Sequence, residues 1–324
     1  MALDATIALG AESAYGTPAT EYRGYEGKAD SWKTSREFLE SVGFRAGLQT
    51  ARADRRRIVD MGGEGELECD VLDAGMGELF AAAFDVHTTS TDAGSTVHNF
   101  HTASVANGRS FTAEMVRPKT DGGVVAFRHK GCVATGFELT QEVDSPLALT
   151  VSFDFRTVEH GGTPAVAEYP KESFPYDWTV GMVEVKSAAG PWTTLPVTKW
   201  ELSAELGLKT DRRFVRANQL KDKPVRAEVP TYEGGFEAEF TGATLALYEA
   251  FTAGNLLSLR ITYTGRTADT DGTRSALTIT APAIQFTGES PESSVDEVTT
   301  IALPFKVLDP GSADAITVTI TEPA

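Results

Sequence analysis

Hydrophobic and polar residues alternate along most of this chain. The alternation is clear in SFTAEMV (110–116), FELTQEV (137–143), LALTVSFDF (147–155), LLSLRITYTG (256–265) and SALTITAPAIQF (275–286). A period of two in segments rich in Val, Ile, Thr and Phe is typical of antiparallel strands with one buried face. The pattern therefore predicts a mainly β protein of the sandwich or barrel type.

Two segments depart from this alternation. GMGELFAAAF (75–84) and ATLALYEAFTAG (243–254) repeat their apolar residues at three and four positions, which gives each segment a single apolar face. Each segment predicts one short α-helix that packs on a β-sandwich.

A short motif occurs twice, as GLQTARADRR (47–56) and GLKTDRR (207–213). Each copy is followed by a glycine-led strand, GEGELECDV (63–71) or GGFEAEFTG (234–242), and then by one of the two helices. Repetition of several elements in the same order indicates that a folding unit has been copied. We therefore predict two tandem antiparallel β units, each with one short α-helix.

The boundary between the units is predicted in TVEHGGTPAVAEYPKE (157–172), which contains Gly and Pro and has no periodic pattern. The first unit then covers 1–160, with an N-terminal arm and long loops, and the second covers 161–324. A length of 324 residues agrees with two domains. The polar stretches 37–62 and 86–110 are predicted loops, and loops of this length are usually functional or bound to a partner.

The overall composition narrows the class of protein. Hydrophobic residues make up 41% and charged residues 23%, which is enough for a packed core. The net charge of −17 argues against a protein that binds nucleic-acid phosphates through a basic surface. Two interpretations stay open, an ordinary acidic protein or a surface that lies close to DNA without binding it.

Neither a membrane segment nor a signal peptide is expected. No apolar stretch approaches the ~20 residues that span a bilayer. The opening MALDATIALGAESAYG carries acids and no basic flank before its short apolar run. Synthesis in a cytosol is therefore expected.

Candidate chemistry is sparse. Cys69 and Cys132 lie in strand-like segments without CxxC spacing, so we expect two buried thiols. His98 and His101 form an HxxH pair in a predicted loop, but two ligands without a third do not make a zinc site. No phosphate-binding glycine loop, nucleophile elbow or cysteine–histidine pairing is present. We predict no catalytic residue, cofactor or metal, and no enzymatic activity.

Two arginine clusters occupy comparable places in the two copies of the motif. They are Arg52, Arg55, Arg56 and Arg57, and Arg212, Arg213 and Arg216. A solvated face or intrachain ion pairs would explain them without a partner. Docking between subunits or rings would use the bidentate contacts that arginine makes with carboxylates. Direct DNA binding is disfavoured by the net charge.

The two glycine-led strands also carry acids at alternate positions. These are Glu66, Glu68 and Asp70 in the first, and Glu237 and Glu239 in the second. Alternate residues of a strand share one face, so each strand presents an acidic face opposite an apolar one. Whether the acidic face lines a channel or meets bulk water stays open.

The chain resembles the tail tube (major tail) proteins of bacteriophages with long, non-contractile tails. The resemblance rests on the order of six segments together with one helix per β unit and the acidic balance. The segments are IALGAESAYGTPAT (7–20), VGFRAGLQTARADRRRIVDMGGEGELECDVLDAGMGELFAAAFD (42–85), FTAEMV (111–116), GCVATGFELTQEV (131–143), VTKWELSAELGL (197–208) and EGGFEAEF (233–240).

The resemblance implies a structural virion protein made in the host bacterial cytoplasm. Its sheets would join edge to edge into rings, and the stacked rings would form a tube through which genome DNA passes without specific binding. Long loops would reach neighbouring subunits or rings. A duplicated chain would close a pseudo-six-fold ring as a homotrimer, with a homohexamer as the alternative. Tape-measure, tail terminator and distal tail proteins would be its other partners.

Two rival functions stay open at this level. One is another virion β-sandwich protein, either a tail terminator or a capsid decoration protein. The other is a secreted β-sandwich that binds glycans or mediates adhesion through exposed aromatic residues. Trp178 and Trp200 lie in strand patterns that predict core positions, and together with the expected lack of a signal peptide this disfavours the second rival.

Overall fold

The fold is taken from a computed structural model of the chain. It describes residues 4–41, 43, 46–47, 49–84, 86–92, 95–102, 109–187, 190–268, 272–288, 290–291 and 298–323.

The predicted mainly β fold with two short helices is confirmed. The strands of the first half are β1 (Thr6–Ala11), β2 (Tyr22–Tyr25), β3 (Lys33–Ser35), β4 (Phe38–Glu40), β5 (Arg56–Ile58), β6 (Gly62–Asp70), β7 (Val86–Asp92), β8 (Ser95–His101), β9 (Phe111–Pro118), β10 (Val124–Glu142), β11 (Ala148–Phe155), β12 (Thr157–His160) and β13 (Ala167–Glu168). Those of the second half are β14 (Gly181–Ser187), β15 (Thr193–Thr194), β16 (Val197–Glu205), β17 (Leu208–Lys209), β18 (Val225–Arg226), β19 (Thr231–Glu239), β20 (Leu257–Ala268), β21 (Arg274–Phe286), β22 (Thr300–Val307) and β23 (Thr317–Glu322). The helices are α1 (Gly77–Ala83) and α2 (Gly242–Thr252).

The same order of strand pairing occurs twice. In the first half β1 pairs with β9, β9 with β10, β10 with β11 and β11 with β6, while β12 lies on β10 and β3 on β6. In the second half β14 pairs with β20, β20 with β21, β21 with β22 and β22 with β19. On the same strands, β23 pairs with β21 and β16 with β19. Each of these seven strands of the first half therefore has a counterpart in the second.

The long strand β10 passes from one sheet of the first half to the other. Its pairing with β9 shifts register between His129 and Cys132, and Gly131 between them has a φ of +66°. A bulge with a left-handed residue bends a strand, and strands that change sheets usually do so at such a bend. Glycine adopts this φ without steric cost.

The two halves are joined through both sheets. Gly136–Glu142 of β10 pairs with Lys199–Glu205 of β16, which makes one antiparallel sheet in the order β3-β6-β11-β10-β16-β19-β22. In the second connection, the hairpin of β7 and β8 adds to β23 of the second half. The prediction of a loop over 86–110 is therefore wrong for residues 86–92 and 95–101, while residues 93–94 and 103–108 lie outside the described part of the chain.

Aromatic side chains fill the space between the sheets in both halves. Trp32 stacks on Phe153 with ring centroids 5.6 Å apart, and Phe236 stacks on Phe305 at 4.9 Å. A Cβ atom on Gly65 would lie 2.2 Å from the ring of Trp32, and one on Gly234 would lie 2.5 Å from the ring of Phe305. The glycines that lead these strands thus leave room for the aromatic cores.

The two helices differ in burial. The apolar side of α1 is buried, including Leu79 and Phe80, and the helix contacts β8 and β10. Helix α2 begins at a capping box in which Thr241 and Thr244 exchange hydrogen bonds, and of its apolar residues only Leu247 is buried. None of the helices within the described residues is long and apolar enough to cross a membrane.

A buried polar network joins the halves at the β10–β16 pairing. The indole Nε1 of Trp200 donates to the hydroxyl of Tyr263 at 2.8 Å, and that hydroxyl donates to the side chain of Gln141 at 3.3 Å. The predicted core position of Trp200 is confirmed, since it is buried. The same prediction for Trp178 is wrong, because Trp178 lies in a turn outside the strands and is 45% exposed.

Both cysteines are free and buried, in agreement with their prediction as buried thiols. Burial raises the pKa of the Cys69 thiol to about 12 and raises that of Cys132 well above its usual range. Both side chains therefore stay protonated and pack as small apolar groups.

Buried His129 predicts a loss of stability in acid. Burial against Trp32 lowers the pKa of His129 to about 4, and the ring hydrogen-bonds the carbonyl of Ala113 in its neutral form. Between pH 6.5 and 4 the unfolded chain takes up a proton that folded His129 does not accept. The free energy of unfolding should therefore fall by about 3 kcal/mol across this window because of His129 alone.

Urea denaturation at several pH values should show this as a flatter pH profile for His129→Gln than for the wild type. His160→Gln is the control, because His160 is exposed. Parallel profiles for the wild type and His129→Gln would contradict the assignment.

Candidate functional site: an acidic sheet face

The sheet that crosses both halves has one apolar and one polar face. In β6, Leu67 and Cys69 are buried against the core, while Glu66 and Glu68 point to the opposite side. The same alternation occurs in β11, β16, β19 and β22. Because directly paired residues of antiparallel strands lie on the same face, the pairing register identifies the members of the polar face.

The register places one row of polar side chains across five adjacent strands of the sheet. Glu68 lies opposite Thr150, which lies opposite Glu138. Glu138 lies opposite Ser203, which lies opposite Glu233. The row runs without interruption from the first half into the second through the β10–β16 pairing.

Neighbouring rows repeat this composition. Asp70 is joined through Ala148 and Thr140 to Glu201. A third row begins at Glu142 and contains Lys199 and Glu237, while a fourth contains Glu66 and Glu205. The polar face is therefore acidic on both sides of the junction.

Carboxylates on this face outnumber lysines by twelve to three. The carboxylates are Glu64, Glu66, Glu68, Asp70, Glu138, Glu142, Asp154, Glu201, Glu205, Glu233, Glu237 and Glu239, and the lysines are Lys33, Lys199 and Lys306. We call this set the acidic face. A depression of about 910 Å³ lies on it, lined by carboxylates from both halves.

Few of these carboxylates are neutralised. Lys199 lies 3.0 Å from Glu142, Lys306 lies 3.4 Å from Glu233, and Lys28 lies 2.7 Å from Asp70. Among the described residues, Glu138, Glu201, Glu205, Glu237 and Glu239 form no ion pair. Grouped charges of one sign produce a potential that repels phosphate over the ~8–10 Å Debye length of physiological salt.

One carboxylate at the edge of the face is buried. Burial raises the pKa of Asp154 to about 6, against the opposing attraction of the Lys221 ammonium with which it forms an ion pair. Lys221 comes from the loop between β17 and β18, so this pair connects a loop of the second half to a strand of the first.

The sequence identified only part of this face. Glu66, Glu68, Asp70, Glu237 and Glu239, the acids singled out in the sequence, all lie on it. The acids of β10 and β16 were missed, although FELTQEV and KWELSAEL alternate in the same way. The alternating pattern that marks a polar face was present in both strands. The pairing of β10 with β16, which joins these acids to the others, is not visible in the sequence.

The arginines of the second copy of the motif bind within the chain. Arg213 forms a bidentate contact with the buried Asp60 of the first half, with Nε 2.9 Å from the carboxylate. Arg216 pairs with Asp222, and Arg212 donates to the carbonyl of Lys223 at 2.6 Å. Arg212 and Arg216 therefore stabilise their own loop, and Arg213 attaches this loop to the first half.

The arginines of the first copy divide into two groups. Arg52 pairs with Asp54, while Arg56 lies 3.4 Å from Glu40 with its guanidinium over the ring of Phe38. Arg55 and Arg57 are exposed, and neither forms an ion pair with a residue that the structure describes. These two are the arginines left available for an intermolecular contact.

The two copies of the motif share a glycine with positive φ but not the structure that follows it. Gly47 and Gly207 both have positive φ, +83° and +62°. Asp54 and Arg55 then lie in a 3-10 turn before β5, whereas Arg213 lies in an irregular loop after β17. Leu48 of the first copy lies outside the described residues.

The histidine pair does not assemble a metal site in the described ranges. His98 and His101 both belong to β8, where their odd spacing directs them to opposite faces. His98 contacts His87, with ring nitrogens 2.9 Å apart, and His101 lies 3.5 Å from Asp314. Within the described residues, no group of three or more His, Cys, Asp or Glu side chains could hold a metal ion.

Comparison with protein families identifies a match. A family model described as phage tail tube protein matches residues 2–321 of the chain. No curated protein sequence matches it.

Proposed function

The chain belongs to the phage tail tube protein family, and from this premise we propose that it polymerises into stacked rings that conduct genome DNA. As a tail tube protein it is a structural component of the phage tail. The observation that carries the proposal is the acidic face, which continues from one half of the chain into the other through paired strands. A sheet that extends by edge pairing and presents carboxylates on one side is suited to line a channel for a polyanion.

The junction inside the chain supports a mechanism for ring closure. One edge of β16 pairs with β19 and the other with β10. Its counterpart β3 pairs with β6 on one edge, and no described strand lies on its other edge. The counterpart of β10 is β21. At Gln285 and Phe286, one edge of β21 pairs with β22, and no described strand pairs with its other edge.

We propose that this edge of β21 pairs with β3 of the next chain, as β10 pairs with β16 within the chain. Open strand edges favour such pairing, and head-to-tail contacts that repeat by rotation close into rings. The division into units at 1–160 and 161–324 is part of this proposal, and the repeated pairing order supports it. Of the two arginine clusters, Arg55 and Arg57 are proposed as further contacts between subunits.

The proposed ring contains three chains. Two units per chain give six units in a homotrimer, and six chains per ring is the alternative. Cryo-electron microscopy of tubes formed by the concentrated protein should show three copies in each ring with pseudo-six-fold symmetry. Six chains per ring would contradict the trimer, and a protein that forms no tubes at high concentration would contradict polymerisation itself.

DNA passage follows from the charge of the channel wall. In the proposed tube the acidic face points to the lumen, where it repels phosphates and prevents the DNA from binding to the wall. The length of the tube and its two ends require other proteins, and the resemblance implies tape-measure, tail terminator and distal tail proteins in these roles.

A further inference from the structure

A loop of the second half docks on the first half at the start of β6. This loop, residues 206–230, lies between β16 and β19 and contains the β17–β18 hairpin. Its Arg213 binds Asp60, which lies two residues before β6 and is only 4% exposed. The docking site on the first half is therefore the segment that leads into β6.

Three further contacts hold the same loop in place. Lys221 pairs with Asp154 on β11, and the side-chain amide of Gln219 donates to the carbonyl of Ile58 at 2.7 Å. Leu220 forms a parallel bridge with Met61. The loop thus binds across the junction of the two halves by charge, hydrogen bonds and backbone pairing.

The first half has a loop in the equivalent place. Residues 36–61 lie between β3 and β6, the counterparts of β16 and β19, and contain the β4–β5 hairpin. Within the described residues, the second half pairs with β10 and not with β3, so no unit lies beside the β3 edge of the first half for this hairpin to dock on.

The hairpin presents a surface suited to an intermolecular contact. Leu39 is 52% exposed and lies opposite Arg57 in the hairpin, so these two side chains share one face. Phe38 is 49% exposed and lies on the other face, under the guanidinium of Arg56. A two-stranded hairpin is marginally stable alone in water. An exposed aliphatic side chain beside an arginine that forms no ion pair in the described residues is typical of positions that become buried in a complex.

The equivalent docking site on the second half carries the complementary features. The segment that leads into β19 contains Glu228 and Val229, both exposed, with Val229 at 84%. Glu233 follows in β19 at the same end of the acidic face. Two carboxylates thus flank an uncovered valine where Asp60 lies in the first half.

We propose that the β4–β5 hairpin of one chain docks on this segment of a second copy of the same chain. Arg55 and Arg57 bind Glu228 and Glu233, while Leu39, which shares a face of the hairpin with Arg57, covers Val229. This contact between chains is equivalent to the docking of loop 206–230 on the first half within one chain. It rests on the proposed assembly into rings, since it requires the second half of one chain to lie beside the first half of the next.

A charge exchange tests this pairing. Arg55→Glu with Arg57→Glu should raise the protein concentration needed for tube formation by at least about tenfold, because arginine–carboxylate contacts become repulsive. Glu228→Arg with Glu233→Arg should have the same effect. The four substitutions combined in one chain should restore polymerisation, since each interface again joins opposite charges. Circular dichroism and thermal denaturation of each variant report whether the monomer stays folded.

Lys119→Glu with Lys171→Glu is the matched control, because both lysines are exposed and lie outside this surface. Normal tubes from the two double variants would overturn this proposal alone, and so would a fourfold variant that stays monomeric and folded. A wild-type protein that forms no tubes would overturn the proposed function and this contact with it.

Discussion

Replacing Glu138, Glu201 and Glu237 with lysine is expected to convert the acidic face into a surface that binds DNA. These residues lie in three adjacent strands, β10, β16 and β19, and form no ion pair within the described residues. At 50 mM salt the triple variant should bind a 20-base-pair duplex at least about a hundredfold more tightly than the wild type. The logarithm of its affinity should fall with the logarithm of salt concentration with a slope near −3, as expected for about three neutralised phosphates.

Fluorescence anisotropy of the labelled duplex measures this directly. The matched control places lysine at Glu21, Glu26 and Glu172, which are exposed and lie outside the sheet. It changes the net charge by the same amount without gathering the new charges on one face. Equal DNA affinity of the two variants would show that total charge, and not the acidic face, keeps DNA unbound.

Trp200→Ala is expected to destabilise the protein by about 3–5 kcal/mol, the cost of removing a large aromatic side chain from a core. Trp200 is 2% exposed, and its indole is hydrogen-bonded to Tyr263 of the second half, which in turn contacts Gln141 of the first. The substitution opens a cavity at the β10–β16 junction and removes one member of a buried network. Urea denaturation followed by far-UV circular dichroism should show the loss.

Trp178→Ala provides the control, since Trp178 is 45% exposed. Its free energy of unfolding should change by no more than about 0.5 kcal/mol, as is usual for surface positions. Trp200→Phe should fall between the two variants, because it keeps most of the apolar volume and loses only the hydrogen bond. A Trp200→Ala protein as stable as the wild type would contradict the role of this network in joining the halves.

The alternation of residues predicted most of the strands because each has one face on the core and one in water. It failed for β7 and β8, whose residues are mainly Thr, Ser and His with few apolar side chains to mark a buried face. These strands are held by pairing with β23, which is more than 200 residues away along the chain. Such long-range pairing leaves no local pattern in the sequence.

The same limit applies to the acidic face. The acids of β6 and β19 could be assigned to one face of each strand by their period of two. That both strands belong to one sheet depends on β10 and β16, which the sequence does not show to be neighbours. The predicted lining role of these acids remains a prediction.

For the arginines, the sequence located two clusters but could not distinguish among their members. Arg213 and Arg216 resemble Arg55 and Arg57 in their local sequence, yet the former pair with acids of their own chain, while the latter form no ion pair in the described part of it. The difference depends on which half lies beside each loop. Within the described residues, the first half lies beside β16 of the second half, whereas no strand lies beside the outer edge of β3.

The β10–β16 pairing also bears on the kinetics of assembly. Because this junction forms within one chain, half of the junctions in the proposed six-unit ring would close while each chain folds. The covalent connection, and not the amount of protein made, sets the effective concentration for these junctions. Nucleation of the proposed ring would then scale with roughly the third power of the chain concentration, where six separate units would require roughly the sixth. With this ring, a duplicated chain would begin a tube while it is still scarce in the cell.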